Sequence, residues 1–174
     1  VRLVGLAVHI GSQILTTRPF EKAYGRMAAL VRDLRARGHE ITRLDLGGGF
    51  GIPYRNEAVA TPAEIAATIA ATVGDLGVAL AVEPGRSIVA DAGVLVTRVE
   101  FVKDGGQIQF AVVDAGMNDL IRPAMYDSHH DIVPVKAPAP GATRIDYDVV
   151  GPICESSDTF AKRRALPPLE AGDL

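Results

Sequence analysis

Short apolar runs that end in polar motifs recur at nearly equal spacing through the first half of the chain. The runs occupy residues 3–8, 41–46 and 78–82, and the motifs that follow them begin at His9, Gly47 and Glu83. Gly47 follows His9 by 38 residues, and Glu83 follows Gly47 by 36. Each interval has room for one helix and one strand, and such apolar runs are typical of parallel strands covered on both faces. Because helical crossovers bring the ends of parallel strands to one side of a sheet, we expect the three motifs to converge.

The intervals between these runs carry helical signals. In the first interval, apolar residues recur at helical spacing at Phe20, Tyr24, Met27, Leu30, Val31 and Leu34. Thr16 or Thr17 can cap this helix, and Gly38 is placed to end it. In the second interval, Thr61 and Glu64 form a capping box. The alternation of strands and helices predicts an α/β fold, such as part of a β/α barrel. Because a full barrel needs about 250 residues, we expect residues 1–92 to form only its last βα units.

The pattern changes after about Gly93. Strand-like sequence occupies residues 94–102, 110–113 and 145–150, and a proline-rich loop lies between the last two. We therefore expect residues 93–174 to form a mostly β domain. The chain starts in strand-like sequence without Met and ends without a clear cap, which predicts a piece of a longer protein with an incomplete second domain.

Composition excludes several classes of function. The net charge of −3 gives no reason to expect nucleic acid or an anionic membrane as a partner. A single cysteine excludes an internal disulfide framework and favours a reducing compartment such as the cytoplasm. No apolar run approaches the roughly 20 residues that span a bilayer.

The first three motifs have residue types that suit a phosphorylated, planar ligand. Glycines at 47–51 allow close approach of the backbone, while Arg86 can bind a phosphate or carboxylate. His9 can stack on a ring beside the hydroxyl of Ser12, and Glu83 can hold a proton on a heteroaromatic nitrogen. Taken singly, each has an ordinary alternative: a flexible turn, an edge histidine or a surface carboxylate.

Two further motifs lie in the second half, at residues 114–126 and 151–158. The first alone could be a capped turn with a surface arginine, and the second a polar loop with an inert thiol at Cys154. His129 and His130 lack cysteine or acidic partners at ligand spacing, so we expect a solvated loop and no metal site.

The five motifs HIGSQ, DLGGGFGI, EPGR, DAGMNDLIRPAMY and GPICESSD, in this order, resemble the fold-type III pyridoxal-phosphate decarboxylases. This family acts on diaminopimelate, ornithine and arginine, and the last two motifs are most similar to its diaminopimelate branch. The resemblance covers nearly the whole chain. It implies pyridoxal 5′-phosphate as cofactor, a cofactor-binding barrel followed by a β domain, and a homodimer with shared active sites. The reaction it implies is the decarboxylation of meso-2,6-diaminopimelate to L-lysine.

The resemblance also implies roles for individual residues. His9 would stack on the pyridine ring, and Glu83 would pair with its nitrogen. The cofactor phosphate would be bound by Ser12, Gly47, Gly48, Gly49, Gly85 and Arg86. The distal carboxylate of the substrate would be bound by Arg86, Arg122 and Tyr126. Cys154 would give a proton to the α-carbon and Glu155 would hold the distal ammonium, both in the neighbouring subunit's site.

The chain departs from the family pattern in three places. Ala7 stands where the family usually has a histidine. The lysine that holds the cofactor covalently lies upstream in the family, and a tyrosine near the family's C-terminus is missing. The lysines present have other contexts: Lys22, Lys103, Lys136 and Lys162. We therefore expect the chain alone to be inactive.

Two alternatives stay open at this point. One is a decarboxylase for another amino acid, such as ornithine, arginine or one with a distal carboxylate. The other is a non-catalytic, regulatory relative, against which the presence of Cys154 and Glu155 argues.

Overall fold

A computed structural model describes residues 2–174, which form two compact units that separate between Gly93 and Val94. The elements of the first unit are β1 (Gly5–Ala7), α1 (Arg18–Ala36), β2 (Arg43–Asp45), α2 (Pro62–Val73), a 3-10 turn (Gly74–Leu76), β3 (Ala79–Ala81) and α3 (Gly85–Val89). Those of the second unit are β4 (Val99–Asp104), β5 (Gln109–Val113), α4 (Arg122–Tyr126), β6 (Ile145–Val150) and β7 (Thr159–Leu166).

Three parallel strands form the sheet of the first unit, in the order β1-β2-β3. Leu6 pairs with Leu44, which in turn pairs with Leu80. The predicted parallel strands are confirmed, although each is shorter than the apolar run that marks it. Burial of both faces was expected for all three strands, but every residue of β3 is exposed. Its central residue, Leu80, is 44% exposed.

The two long helices follow the predicted periodicity. Most of the predicted apolar positions of α1 are buried, but Leu30 is 42% exposed because it lies at the solvent side of the helical stripe. The capping box of α2 is confirmed: Oγ1 of Thr61 accepts from the amide of Glu64 at 3.2 Å, and the Glu64 carboxylate accepts from the amide of Thr61 at 2.8 Å. Thr17 precedes α1 but makes no side-chain cap, because its own backbone is already helical. Gly38 ends α1 with φ of 87°, as predicted.

Helix α1 packs with α2 and with the central strand to form the core of this unit. The fully buried large side chains are Phe20, Tyr24, Val31, Ile41, Leu44, Leu46 and Val73. Phe20 contacts both Tyr24 and Phe50 through its ring, at centroid distances of 5.8 and 5.2 Å. The aromatic cluster anchors α1 on the side of the sheet from which the glycine-rich loop leaves β2.

The second unit is a mixed sheet in the order β4-β5-β6-β7. The pairs β4–β5 and β6–β7 are antiparallel, whereas β5 and β6 are parallel. Its core is formed by Val99, Ala111, Val113, Tyr147, Val149 and Leu166. The predicted β6 has the observed bounds, but the strand expected from residue 94 begins at Val99, and Val94 is 90% exposed.

Strand β7 and the short helices α3 and α4 are absent from the sequence-based prediction. The basic run 162–164 interrupts the apolar pattern of β7, so that its pairing with β6 decides its structure. No helix within residues 2–174 is both long and apolar enough to cross a bilayer.

Candidate functional site

The polar motifs that follow β1, β2 and β3 meet at one edge of the first unit's sheet. The amide of Gly48 donates to Nδ1 of His9 at 3.4 Å, and the amide of Glu83 donates to the carbonyl of Gly47 at 2.8 Å. A further backbone bond joins the amide of Ile14 to the carbonyl of Gly49 at 2.9 Å. These contacts confirm the predicted convergence of the three motifs.

The glycine-rich loop is tightly packed, because each of its three glycines lies against a neighbouring backbone. A Cβ atom on Gly47, Gly48 or Gly49 would overlap a carbonyl oxygen, that of Val8, Glu83 or Gly11 respectively. Gly47 and Gly49 also have positive φ, at 67° and 88°. The loop therefore forms a close-packed cradle of backbone in which a side chain at any of the three positions would fill the space.

Arg86 lies on α3 with its guanidinium directed at the residues that follow β1. Its Nη2 donates to Oγ of Ser12 at 2.9 Å, and its Nη1 donates to Oε1 of Gln13 at 2.8 Å. The guanidinium also lies over the ring of Tyr54, 5.9 Å from the centroid. The structure thus brings a cation and a hydroxyl to the edge where the glycine loop lies.

The side chains of His9 and Glu83 are both exposed at this edge. The amide bond from Gly48 leaves Nδ1 of His9 as an acceptor, which puts the ring proton of the neutral imidazole on Nε2. Glu83 is held through its backbone, and its carboxylate remains open to solvent. An imidazole ring and a carboxylate are therefore both open to a ligand at the edge where Arg86 and Ser12 lie.

The lysines of the chain lie elsewhere. Lys22 belongs to α1 and is exposed, and it is the single lysine among residues 2–93. The other three lie in the second unit. No lysine of the first unit therefore follows a strand end at the motif edge.

Asp158 joins the two motifs of the second unit. Its carboxylate is 3% exposed and accepts hydrogen bonds from the amide of Met117 at 2.6 Å and that of Ile153 at 2.7 Å. A Cβ on Gly151 would meet this carboxylate, so glycine is required beside it. Asp158 ends the motif at residues 151–158 and was not among the predicted site residues. No signal in the sequence singles Asp158 out, because its partners are set by the fold alone.

Cys154 and Glu155 lie on the exposed turn that Asp158 anchors. The thiol of Cys154 is free and exposed. The carboxylate of Glu155 accepts from the amide of Ser157 at 3.2 Å and from the hydroxyls of Ser157 and Ser156 at 3.2 and 3.3 Å. The amide of Ser157, followed by the two hydroxyls, holds the pKa of Glu155 below its usual value. An exposed thiol and a carboxylate anion are therefore sequence neighbours on this turn.

Arg122 and Tyr126 are the first and last residues of α4, four positions apart, and so share one helix face. Tyr126 is exposed and Arg122 is half-buried. Asp114, at the start of the same motif, bonds back to the two residues that precede β4. It accepts from the amide of Arg98 at 2.8 Å and from Oγ1 of Thr97 at 2.6 Å, and these bonds lower its pKa.

His129 lies in a loop, as expected, but the expected solvation of its side chain is wrong. The ring, 20% exposed, lies 2.9 Å from Oδ1 of Asp131 and 3.2 Å from Nη2 of Arg164. The carbonyl of His130 also accepts from Arg164, at 3.0 Å. Within residues 2–174 there is no group of three or more His, Cys, Asp or Glu side chains arranged to hold a metal ion.

The predicted site residues therefore form two sets, one in each unit. The first unit brings together His9, Ser12, Gly47, Gly48, Gly49, Glu83, Gly85 and Arg86. The second unit holds Arg122, Tyr126, Cys154 and Glu155. Sequence reasoning assigned no role to Gln13, Tyr54 or Asp158, each of which contacts one of these segments.

Known proteins resemble this chain over most of its length. The model of the family described as "Pyridoxal-dependent decarboxylase, C-terminal sheet domain" matches residues 20–174. A diaminopimelate decarboxylase from Vibrio cholerae is 47% identical over 171 residues, which cover 98% of this chain and 40% of the relative. The chain thus spans about two fifths of the length of the curated relatives that it matches.

Solved structures give the same result. The Helicobacter pylori diaminopimelate decarboxylase complexed with L-lysine is 40% identical, with a TM-score of 0.90, and the match covers 99% of this chain and 42% of that one. A lysine/ornithine decarboxylase from Vibrio vulnificus, complexed with cadaverine, is 27% identical, with a TM-score of 0.87; the match covers 99% of this chain and 47% of that one. The matches extend over both compact units, and the chain therefore belongs to the pyridoxal-dependent decarboxylase family.

Proposed function

We propose that this chain is part of a diaminopimelate decarboxylase, a pyridoxal-phosphate-dependent carboxy-lyase that converts meso-2,6-diaminopimelate to L-lysine and CO₂. The observation that carries the proposal is the meeting of the glycine cradle, Ser12 and Arg86 at one sheet edge. The relatives that match the whole chain at 40–47% identity support the choice of substrate.

The donor set in the first unit fits pyridoxal phosphate. The cradle at Gly47–Gly49 has no room for side chains, and the hydroxyl of Ser12 and the guanidinium of Arg86 are donors suited to a phosphate dianion. The exposed carboxylate of Glu83 suits a protonated ring nitrogen, and the imidazole of His9 suits the face of the ring. When bound, the cofactor supplies an electron sink for the electron pair that remains when the α-carboxylate leaves as CO₂.

The second unit supplies groups for the substrate. We infer that Arg122 and Tyr126 bind the distal carboxylate, for which a planar guanidinium is well matched. Glu155 is anionic, since its pKa is lowered by the Ser157 amide, and it suits the distal ammonium. The thiol of Cys154 is exposed, and we assign it the delivery of a proton to the α-carbon after CO₂ has left.

The substrate assignment follows from charge. Ornithine and lysine carry only an ammonium at the far end, whereas diaminopimelate carries a carboxylate as well. A buried arginine whose bond to a carboxylate is left unmade costs about 1–3 kcal/mol, which corresponds to a factor of about 5–150. Arginine side chains directed at the far end would therefore favour diaminopimelate.

We also infer the larger architecture from the exposed parts of the first unit. Both faces of β3 are exposed, which is unusual for a parallel strand, and further βα units beside it would cover them. On this basis residues 1–92 are the last units of a cofactor-binding barrel, and residues 93–174 belong to the β domain that follows it. The complete enzyme would be a cytoplasmic homodimer, in which Cys154 and Glu155 serve the neighbouring subunit's site.

The test is a substrate comparison on the complete enzyme that carries this chain. We expect release of CO₂ from meso-diaminopimelate, with kcat/KM at least about 10-fold above that for ornithine or arginine. Equal or better turnover of ornithine would contradict the substrate assignment. Cofactor binding without any decarboxylation would favour a non-catalytic relative.

A further inference from the structure

Gln13 lies where the three motifs of the first unit meet. Its backbone has φ of 58°, the left-handed region that non-glycine residues seldom adopt. Its side-chain amide pairs with the backbone of Ile52 in both directions. Nε2 donates to the carbonyl of Ile52 at 2.5 Å, and Oε1 accepts from the amide of Ile52 at 3.3 Å. Gln13 thereby fixes the end of the glycine-rich loop to the segment that follows β1.

The same Oε1 atom of Gln13 holds Arg86, accepting from its Nη1 at 2.8 Å, while Nη2 donates to Ser12 at 2.9 Å. Both acceptors are neutral. Within residues 2–174, no carboxylate lies within ion-pair distance of Arg86. The guanidinium is therefore oriented by neutral hydrogen-bond acceptors, and no carboxylate among the described residues forms an ion pair with it.

This arrangement has a physical consequence for anion binding. A cation held in place before the ligand arrives loses less conformational entropy on binding. A cation that is already paired with a carboxylate gains less from an incoming phosphate. The neutral amide of Gln13 orients the cation without pairing with its charge. Glutamate, which has nearly the same shape, would orient the cation but would also pair with it.

We propose that Gln13 is a positioning residue of the cofactor-phosphate site: it orients Arg86, keeps its charge available, and fixes the glycine loop through Ile52. The proposal rests on the proposed function, because it takes the anion to be the phosphate of pyridoxal phosphate. Gln13 itself need not touch the cofactor.

The test uses the complete enzyme with Gln13→Glu and Gln13→Met, and compares titrations with pyridoxal phosphate and with pyridoxal, which lacks the phosphate. Gln13→Glu should raise the dissociation constant for pyridoxal phosphate about 10- to 100-fold, since its new carboxylate pairs with Arg86. Gln13→Met, which is uncharged and of similar length, should raise it less. Neither variant should change the affinity for pyridoxal by more than about twofold. The matched controls are Gln107→Glu and Gln107→Met at an exposed position of the second unit, and we expect no change from them.

The outcomes separate the two proposals. If the parent enzyme fails to bind pyridoxal phosphate, the proposed function and this inference both fall. If the parent binds it and Gln13→Glu binds it equally well, only the inference is overturned. Equal losses for pyridoxal and pyridoxal phosphate, or a larger loss for Gln13→Met than for Gln13→Glu, would show that Gln13 acts through packing alone.

Discussion

The carboxylate of Asp158 accepts a hydrogen bond from the backbone amide of Met117 at 2.6 Å, across 41 residues of sequence. Its other oxygen accepts from the amide of Ile153 at 2.7 Å, so one buried side chain holds two separate loops. Cys154 and Glu155 follow directly after Ile153. The position of the proposed proton donor therefore depends on a residue that does no chemistry itself.

Asp158→Asn should destabilise the protein by about 2 kcal/mol. An amide has one acceptor oxygen, so its NH₂ group would face a backbone N–H that has lost its partner. The measurement is the free energy of unfolding from urea denaturation. The matched control is Asp146→Asn on the exposed side of β6, which should change it by less than about 0.5 kcal/mol. Equal effects of the two substitutions would contradict the role assigned to Asp158.

Gly48→Ala should prevent the glycine loop from closing on Glu83. The added Cβ would overlap the carbonyl oxygen of Glu83, and backbone cannot move aside as a flexible side chain can. We expect a loss of at least about 2 kcal/mol of stability and of most cofactor affinity, measured by denaturation and by absorbance titration.

The control for this substitution is Gly25→Ala within α1, where a Cβ would have nothing within 4 Å. There alanine should stabilise the helix by about 0.5–1 kcal/mol. Retained cofactor affinity in Gly48→Ala would show that the close approach is not required.

Tyr24→Phe should leave the free energy of unfolding at pH 7 unchanged or raise it by up to about 1–2 kcal/mol. The hydroxyl of Tyr24 is buried with no hydrogen-bond partner among the described residues, and removing it ends a desolvation penalty. Tyr147→Phe provides the contrast, because the hydroxyl of Tyr147 accepts a hydrogen bond from the amide of Leu169 at 3.2 Å. Loss of this bond should destabilise the protein. A loss of more than 1 kcal/mol in Tyr24→Phe would reveal a partner.

The same residue predicts a pH dependence. Burial raises the pKa of Tyr24 from 10.0 to about 12, so between these values the unfolded chain releases a proton that the folded chain keeps. Stability should therefore fall as pH rises from about 10 to 12 and be unaffected by this group below pH 10. The measurement is the free energy of unfolding of the parent and of Tyr24→Phe at pH 7 and pH 11. The same change in this free energy between the two pH values in both proteins would contradict the assignment.

Arg122→Ala in the complete enzyme should lower kcat/KM for diaminopimelate by about 100-fold and leave the affinity for pyridoxal phosphate within about twofold. The proposed partner of Arg122 is the distal carboxylate, whose binding energy positions the substrate. Arg122→Lys should restore little, since an ammonium cannot form two parallel bonds. An unchanged kcat/KM with lost cofactor affinity would instead place Arg122 in the phosphate site.

Local signals determined the parts of this protein that sequence analysis predicted well. The capping box at Thr61 and Glu64 and the helical period of α1 depend on residues within a few positions of one another. The parallel direction of the three strands was expected from the spacing of their apolar runs. The motifs also predict a phosphate site, from glycines, a serine hydroxyl and an arginine near strand ends, and this site stays a prediction.

The tertiary structure alone decided features that depend on partners distant in sequence. Strand β7 forms in spite of its basic run because β6 offers it a hydrogen-bonding edge. Asp158 and Gln13 look ordinary in the sequence, and their roles come from partners 41 and 39 residues away. A polar side chain does not encode which amide it will meet; that depends on how the chain brings its loops together, and the free energy of those bonds exists only once it has done so.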